Sequence, residues 1–177
     1  MSPPSVDEFI AAAREFCSFA EDECAVVAAD LWKVRELLLQ LIYNIPAIEN
    51  ARDDFGRDGI GPDDATYLKV TERFSQFSFN YYRVVFDPHD LDANKEPGMG
   101  MLSDDLADIY RDLVKGLDNE DRGFIDEACF DWSFSYRSPW ARHAMNALTA
   151  IELRRTDSYE IIPQITKTDS SDSVDYP

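Results

Sequence analysis

The stretch MLSDDLADIYRDLVKGLD, residues 101–118, has the clearest helix pattern in the chain and decides the fold class. Ser103 is a residue type that caps helices, and Asp104 and Asp105 follow in the first turn, where the helix dipole favours anions. The apolar residues recur every three or four positions, which places them on one helical face: Leu102, Leu106, Ile109, Leu113 and Leu117. We therefore predict an amphipathic helix that is capped by Ser103 and buries its leucine face.

Helical spacing also marks the N-terminal part of the chain. The sequence SVDE, residues 5–8, has the form of a capping box and begins a predicted helix that extends to about Val27. A second predicted helix runs from Asp30 to Ile45, and Pro46 ends it because proline cannot continue a helix.

In the middle of the chain the sequence is ambiguous between helix and strand. Residues 65–86 carry aromatic and β-branched types that favour a strand, yet their apolar residues step by three and four, as in a helix. We predict a helix there, between polar loops at residues 53–64 and 87–100.

Two further helices follow the stretch at residues 101–118. One is predicted over residues 120–137, and the next begins with Ser138 as cap and Pro139 in the first helical position. Together these helices predict an all-α fold, a compact bundle of about six amphipathic helices. The bundle would form a single domain, residues 1–155, and a flexible acidic tail would follow it at residues 156–177. In that tail, YEIIPQI at residues 159–165 has the composition of a short docking motif.

Composition and charge exclude several classes of partner. The chain has 177 residues and a net charge of −18, and 45% of its residues are apolar. So strong an acidic balance argues against nucleic acid and against anionic membranes, because both are bound by fields of lysine and arginine. We expect a protein partner or self-association instead.

The cysteines and the N-terminus predict a cytoplasmic protein. Cys17, Cys24 and Cys129 make an odd number, which does not suggest a disulfide framework, and we expect mostly buried, reduced thiols. The N-terminus has no basic region followed by an apolar run, and no stretch has the 18 or so apolar residues of a membrane span.

Three motifs together resemble one known family. LSDDLADIYRDLVKGL, VVFDP and WSFSYRSPWARHA are similar to the sequence pattern of the domain of unknown function 5063 family (DUF 5063), which comprises small bacterial helical proteins. The resemblance covers roughly residues 5–153, with Ala141 where the family usually has glycine and Pro139 where a histidine or similar residue often stands. It implies an all-α fold in a bacterial cytoplasm and brings no activity with it.

The acidic residues of the stretch at residues 101–118 allow one catalytic hypothesis. Asp104, Asp105 and Asp108 form Asp-Asp-x-x-Asp, and carboxylates one turn apart share a helix face and suit Mg²⁺ or Mn²⁺. Asp104 and Asp108 are therefore candidate metal ligands of a phosphoester or pyrophosphate hydrolase. The alternative is a solvated helix face, in which Asp108 pairs with Arg111.

If these acids form a solvated helix face, Asp112 would likewise pair with Lys115, three residues further along the helix. Asp105 and Asp108 could also meet Arg137 or Arg142 from the last helices, in a contact that would more often be structural than catalytic.

An unusual group of aromatic and basic residues lies near the C-terminal end. Such residues can build a ligand pocket or an interface, or they can fill a core corner where two helices meet. The ligand or interface candidates are Trp132, Tyr136, Trp140, Arg142 and His143, together with Asp105 and Arg111.

No complete catalytic set is visible in the sequence. Two histidines, His89 and His143, are too few for a histidine-rich metallohydrolase, and no phosphate-binding glycine loop occurs. We therefore predict a non-enzymatic protein-interaction or structural module without a cofactor. The alternative is a hydrolase that uses a divalent metal.

Overall fold

The computed structural model describes residues 3–27, 30–51, 58–85, 87, 89, 91 and 96–157. The elements in chain order are α1 (Val6–Ala20), α2 (Asp30–Asn44) with a 3-10 turn at Ile45–Ala47, α3 (Asp64–Phe74), β1 (Tyr81–Val84), β2 (Gly98–Met101), α4 (Leu102–Asp121), α5 (Ile125–Ser135) and α6 (Ala141–Asp157). The all-α class is confirmed, with one small two-stranded sheet beside the helices.

The C-terminal helices join where the sequence predicted a restart. A π-helical turn, Tyr136–Trp140, connects α5 to α6, and Ser138 leaves helical geometry within it at φ −137° and ψ 32°. The described chain therefore has five separate helical segments, one fewer than predicted. The tail predicted from residue 156, with its docking motif at residues 159–165, lies almost entirely outside the described residues.

Helix α4 lies at the centre of the bundle, and the predicted burial of its apolar stripe is confirmed. It packs against α1, α3, α5 and α6, and all five stripe residues are buried. Trp132 from α5 lies against the same core, with its ring 5.0 Å from that of Phe9 on α1. Aromatic rings at this spacing add to the stability that burial of their area provides.

The predicted cap by Ser5 at the start of α1 is confirmed, but the helix ends earlier than expected. The side chain of Ser5 accepts a hydrogen bond from the backbone N–H of Glu8 at 3.2 Å. The helix stops at Ala20, and Arg73 from α3 donates to the carbonyl oxygens of Phe19 and Cys24 in the segment that follows. A buried guanidinium that satisfies open carbonyls replaces the helical bonds there.

The helix predicted over residues 65–86 is wrong in its second half. Helix α3 stops at Phe74, and β1 pairs antiparallel with β2. The strand propensity of these residues predicts the structure better than their helical spacing does. Tyr82 and Val84 point inward two residues apart, as a strand requires.

The partner strand β2 lies in a predicted loop because its sequence is Gly-Met-Gly-Met. Gly100 faces Tyr82 across the pair, and a Cβ there would lie 2.6 Å from the Tyr82 ring and 2.7 Å from Val84. Strand pairing at this position therefore depends on a residue type that propensity scales place outside strands.

The predicted cap of α4 is also wrong. The helix begins at Leu102, and Ser103 is its second residue, buried and without a capping bond. Asn80, which lies just before β1, caps the helix instead. Its carbonyl oxygen accepts from Leu102 N–H at 2.7 Å and its side-chain oxygen accepts from Ser103 N–H at 2.8 Å.

The cysteines are free thiols, and two of the three are buried as expected. Cys17 and Cys129 are buried, and burial raises the pKa of Cys17 above its usual range and that of Cys129 to about 11. Cys24 is exposed, which corrects the expectation for that residue. None of the helices in the described ranges has the length and apolar character needed to cross a membrane.

Gly116 on α4 provides a test of the packing between α4 and α5. A Cβ at this position would overlap the indole ring of Trp132, whose Nε1–H donates to the Leu113 carbonyl at 3.1 Å. Alanine is better than glycine in a helix by about 1 kcal/mol, so propensity alone predicts that Gly116→Ala stabilises. We expect the opposite, a loss of roughly 1–3 kcal/mol of unfolding free energy from overpacking, measured by urea denaturation.

The control is Gly61→Ala, because its nearest neighbour to an added Cβ is 3.9 Å away. That variant should change stability by no more than about 1 kcal/mol. Stabilisation by Gly116→Ala would contradict the tight approach of the two helices.

Candidate functional site

Asp105 connects three elements of the fold through one buried carboxylate. It lies in the first turn of α4 and is 6% exposed. One carboxylate oxygen accepts a hydrogen bond from the hydroxyl of Tyr82 on β1, and the other bonds Nδ1 of His143 on α6. The hairpin and the last helix are therefore both attached to the start of α4 at the same residue.

Asp108, one turn further along α4, contacts the other side of the histidine. Its Oδ2 lies 3.6 Å from His143 Nε2, and its Oδ1 accepts from the Tyr67 hydroxyl at 2.9 Å. Arg111 Nη2 lies 2.7 Å from the same Oδ1, which confirms the predicted Asp108–Arg111 pair. We call Tyr67, Tyr82, Asp105, Asp108, Arg111 and His143 the Asp–His cluster.

The electrostatics of the cluster favour a charged histidine and neutral tyrosines. The pKa of His143 lies above its ordinary value, chiefly because of its hydrogen bond to Asp105 and further because of the charges of Asp105 and Asp108. Burial and Arg142 oppose this rise in the pKa. Burial and the hydrogen bond to Asp108 raise the pKa of Tyr67 to about 12, and burial with the bond to Asp105 raises the pKa of Tyr82 further.

A pocket of about 280 Å³ opens beside the cluster, between the β1–β2 hairpin and the starts of α4 and α6. Its apolar lining is Tyr81, Tyr82, Val84, Met99, Gly100 and Met101, and its polar lining is Asp104, Asp105, Arg142, His143 and Asn146. We call it the hairpin pocket. The pKa of Asp104 is raised by burial and by the neighbouring charges of Asp108 and Asp105.

Asp112 does not make the predicted pair with Lys115. Its Oδ2 is buried and has no hydrogen-bond partner among the described residues, and burial raises the pKa of this carboxyl. Lys115 instead points to Asp58, at 3.8 Å. The i, i+3 spacing permits the pair but does not enforce it, since the lysine side chain reaches several acids on this surface.

The predicted aromatic and basic group divides between core and site. Trp132 and Trp140 are fully buried, and the ring of Tyr136 meets Trp140 edge-on at 4.8 Å. These three fill a core corner, the alternative considered from the sequence, although Nε1 of Trp140 has no partner within the described part of the chain. Arg142 and His143 line the hairpin pocket.

The histidine, and not an arginine, meets the aspartates of α4. Arg137 donates to the backbone carbonyl of Glu49, and Arg142 makes no ion pair with another described residue. His143 lies where the sequence allowed one of these two arginines. It follows Arg142 in α6, and because successive side chains of a helix are rotated by about 100°, His143 faces α4.

Sequence reasoning missed Tyr67 and Tyr82 as members of the cluster. Both residues lie in the segment 65–86, where the sequence predicts one helix, but Tyr67 lies in α3 and Tyr82 lies in the strand β1. The alternation of Tyr82 and Val84 was the available signal for Tyr82. No local signal identifies Tyr67, because its partner is 41 residues away.

The metal hypothesis stays a prediction. In the ranges that the structure describes, no three or more His, Cys, Asp or Glu side chains are grouped so that they could hold a metal ion. Asp104 lies at the hairpin pocket, while Asp108 is occupied by Tyr67 and Arg111.

Comparison with known proteins identifies a family and a fold. The sequence matches the profile of the family described as Domain of unknown function (DUF5063) over residues 2–156. No curated protein matches the sequence. The crystal structure of protein BF1032 from Bacteroides fragilis is similar, with a TM-score of 0.68 and 15% identity over 89% of this chain and 94% of that one. At that identity the likeness shows a shared fold.

Tyr82→Phe tests how strongly the hairpin is attached. The variant removes the hydroxyl that donates to the buried Asp105 carboxylate, so we expect a loss of roughly 1–3 kcal/mol of unfolding free energy. Tyr81→Phe is the matched control, because Tyr81 is the exposed neighbour on the same strand and should lose less than about 0.5 kcal/mol. Equal losses in urea denaturation would mean that the hydroxyl of Tyr82 does not carry the contact.

The charge of His143 makes stability depend on pH. Because the folded pKa lies above the unfolded value, the stabilising contribution is complete below the unfolded pKa of about 6.5. It is lost as the pH rises through the folded pKa. We therefore expect the unfolding free energy to fall as the pH rises above about 6.5, and the fall to be smaller in His143→Gln.

The control for this pH dependence is His89→Gln, since His89 is exposed and lies outside the cluster. It should keep the wild-type pH profile in denaturation experiments. A profile that is unchanged in His143→Gln would rule out the histidine as the titrating group.

Proposed function

The chain belongs to the DUF5063 family, and we propose that it is a non-catalytic binding domain that contacts a protein partner through the outer face of its β1–β2 hairpin. One observation carries this proposal. Two large apolar side chains, Tyr81 and Met99, stand exposed on a hairpin whose other face is attached to α4 and α6 through Asp105.

The register of the hairpin separates an inner from an outer face. Tyr82 and Val84 point into the protein, so Tyr81 and Arg83 point outward, and Arg83 is opposite Met99 in the partner strand. Tyr81 is 63% exposed and Met99 is 73% exposed. The outer face thus presents an aromatic ring, a thioether and a guanidinium within two residue pairs.

These residue types suit a protein interface. Tyrosine and arginine are enriched at binding hot spots, and methionine adapts its shape to a partner. A shallow groove of about 410 Å³ runs along the same face, and its lining includes Tyr81, Arg83, Pro97 and Met99. In the described part of the sheet, each strand also has an edge with no neighbouring strand, to which an extended segment can add.

The Asp–His cluster gives this surface a rigid support. A short two-stranded hairpin is marginal in water by itself. Here Tyr82 is bonded to Asp105, and Asp105 is bonded to His143, so the strand is tied to two helices. A surface that is ordered before binding loses less conformational entropy when the partner arrives.

The alternative of a Mg²⁺- or Mn²⁺-dependent hydrolase remains a prediction, and no observation favours it over the binding domain. Asp105 and Asp108 already accept hydrogen bonds from Tyr82, Tyr67 and His143. A metal that used these two carboxylates would have to displace those donors. Asp104 is the remaining carboxylate of the motif.

The outer face is tested by the double variant Tyr81→Ser, Met99→Ser. We expect cross-linking in cells to give at least about a tenfold lower yield of the wild-type adducts, because the apolar centre of the surface is removed. Light scattering of the purified protein shows whether the adduct is a second copy of this chain. The control is Leu68→Ser, which removes an exposed leucine, 56% accessible, from α3.

Both variants should keep the wild-type circular dichroism, since none of the three side chains is in the core. Equal adduct yields in the wild type and the double variant would refute the hairpin face as the contact surface. An equal loss in the Leu68→Ser control would refute it as well, because the effect would not be specific to the hairpin.

A further inference from the structure

We infer that the hairpin pocket binds a small zwitterion with an apolar body, of the chemical class of a free apolar α-amino acid. This site shares Tyr81 and Met99 with the outer face of the hairpin, but its polar residues come from α4 and α6. It lies on the side where the hairpin meets the starts of α4 and α6. The inference goes beyond the proposed protein contact and does not depend on it.

The size of the hairpin pocket suits a small molecule. Its volume is about 280 Å³, just below the range that is typical of drug-sized ligands. At the roughly 30 Å³ that one water occupies in the liquid, this space corresponds to about nine non-hydrogen atoms. Leucine and methionine are of this size, whereas a nucleotide is far larger.

Three polar side chains of the lining are available to a ligand. Asp104, Arg142 and Asn146 make no hydrogen bond or ion pair with another described residue, although all three line the pocket. The other two polar lining residues, Asp105 and His143, already bond each other. The pocket therefore offers one free carboxylate, one free guanidinium and one free amide.

This set of free groups matches a zwitterion better than a ligand of one charge. A purely cationic ligand would pair with Asp104 but would face the guanidinium of Arg142, and a purely anionic ligand would face the carboxylate. A molecule with an ammonium and a carboxylate satisfies both groups, and Asn146 can bond either end. Arginine also binds a carboxylate through two parallel hydrogen bonds, which fixes its orientation.

The surroundings of Asp104 favour an ammonium at this carboxylate. The carboxylates of Asp105 and Asp108 lie near it, and the charges of His143 and Arg111 only partly offset them. A ligand ammonium would supply a counter-charge where like charges are crowded.

The opposite wall of the pocket suits an apolar side chain. It consists of two tyrosine rings, two methionine side chains and Val84, with Gly100 leaving room for the ring of Tyr82. Aliphatic and thioether groups pack well against tyrosine faces and methionine sulfur. Glycine or a strongly polar amino acid would leave this wall uncovered.

The first experiment is a titration of the full-length protein with valine, leucine, methionine and phenylalanine. Leucine methyl ester, which keeps only the ammonium, and N-acetyl-leucine, which keeps only the carboxylate, are the matched probes. Binding is followed by calorimetry and by NMR shifts of the pocket residues. We expect at least one of the amino acids to bind, and its two single-charge derivatives to bind at least about tenfold more weakly.

Two variants assign the ends of the ligand. Arg142→Gln should weaken binding of the amino acid about tenfold or more and leave the methyl ester unaffected. Asp104→Asn should weaken the amino acid equally and leave N-acetyl-leucine unaffected. Asp64→Asn is the control, because Asp64 is an exposed acid in the first turn of α3 and lines no part of this pocket.

Several outcomes would overturn the inference. They are the absence of binding by all four amino acids at millimolar concentration to folded protein, equal affinity for the amino acid and either derivative, and an equal effect of the control variant. Because Asp104 and Arg142 are exposed at the pocket and outside the core, their variants should fold like the wild type. Retained binding in both variants would place the ligand at another site.

Discussion

The bond from Asp105 to Tyr82 and His143 is the interaction on which the arrangement of this protein depends. A carboxylate that is almost completely removed from water is unfavourable unless donors surround it. One donor comes from the hairpin and the other from the last helix, so the loss of either contact would leave the buried charge with only one of its two donors. Docking of the hairpin and docking of α6 are therefore coupled through a single side chain.

This coupling also explains how the surface around the hairpin divides. The inward residues of β1 are used for attachment, so the outward residues are left for contact with something else. The same contact positions the start of α6, and with it Arg142 and Asn146, opposite Asp104. A structural ion pair thus builds both an exposed apolar face and a small pocket of mixed charge, without itself being free to bind a ligand.

Sequence reasoning succeeded where the determining contacts are local. Such contacts form the stripe of α4, the Ser5 cap of α1, the end of α2 just before Pro46 and the Asp108–Arg111 pair. In each of them the residues are a few positions apart. It failed where distant residues decide. Helix α1 ends early because Arg73 from α3 holds the chain beyond it, and α4 is capped by Asn80 from before the hairpin. The hairpin was not predicted because β2 consists of glycine and methionine, a sequence that does not indicate a strand.

The sequence by itself determined the all-α class, the buried face of the helix at residues 101–118 and the strongly negative net charge. These properties follow from the types and spacing of neighbouring residues, which periodicity and charge express directly. The tertiary structure alone decided that His143, 38 residues from Asp105, is its partner, and that Tyr67 and Tyr82 complete the cluster. The reason is geometric. Contacts between side chains of different elements depend on where helices end, on the register of strands and on the angles at which helices cross, and packing of the whole chain sets each of these.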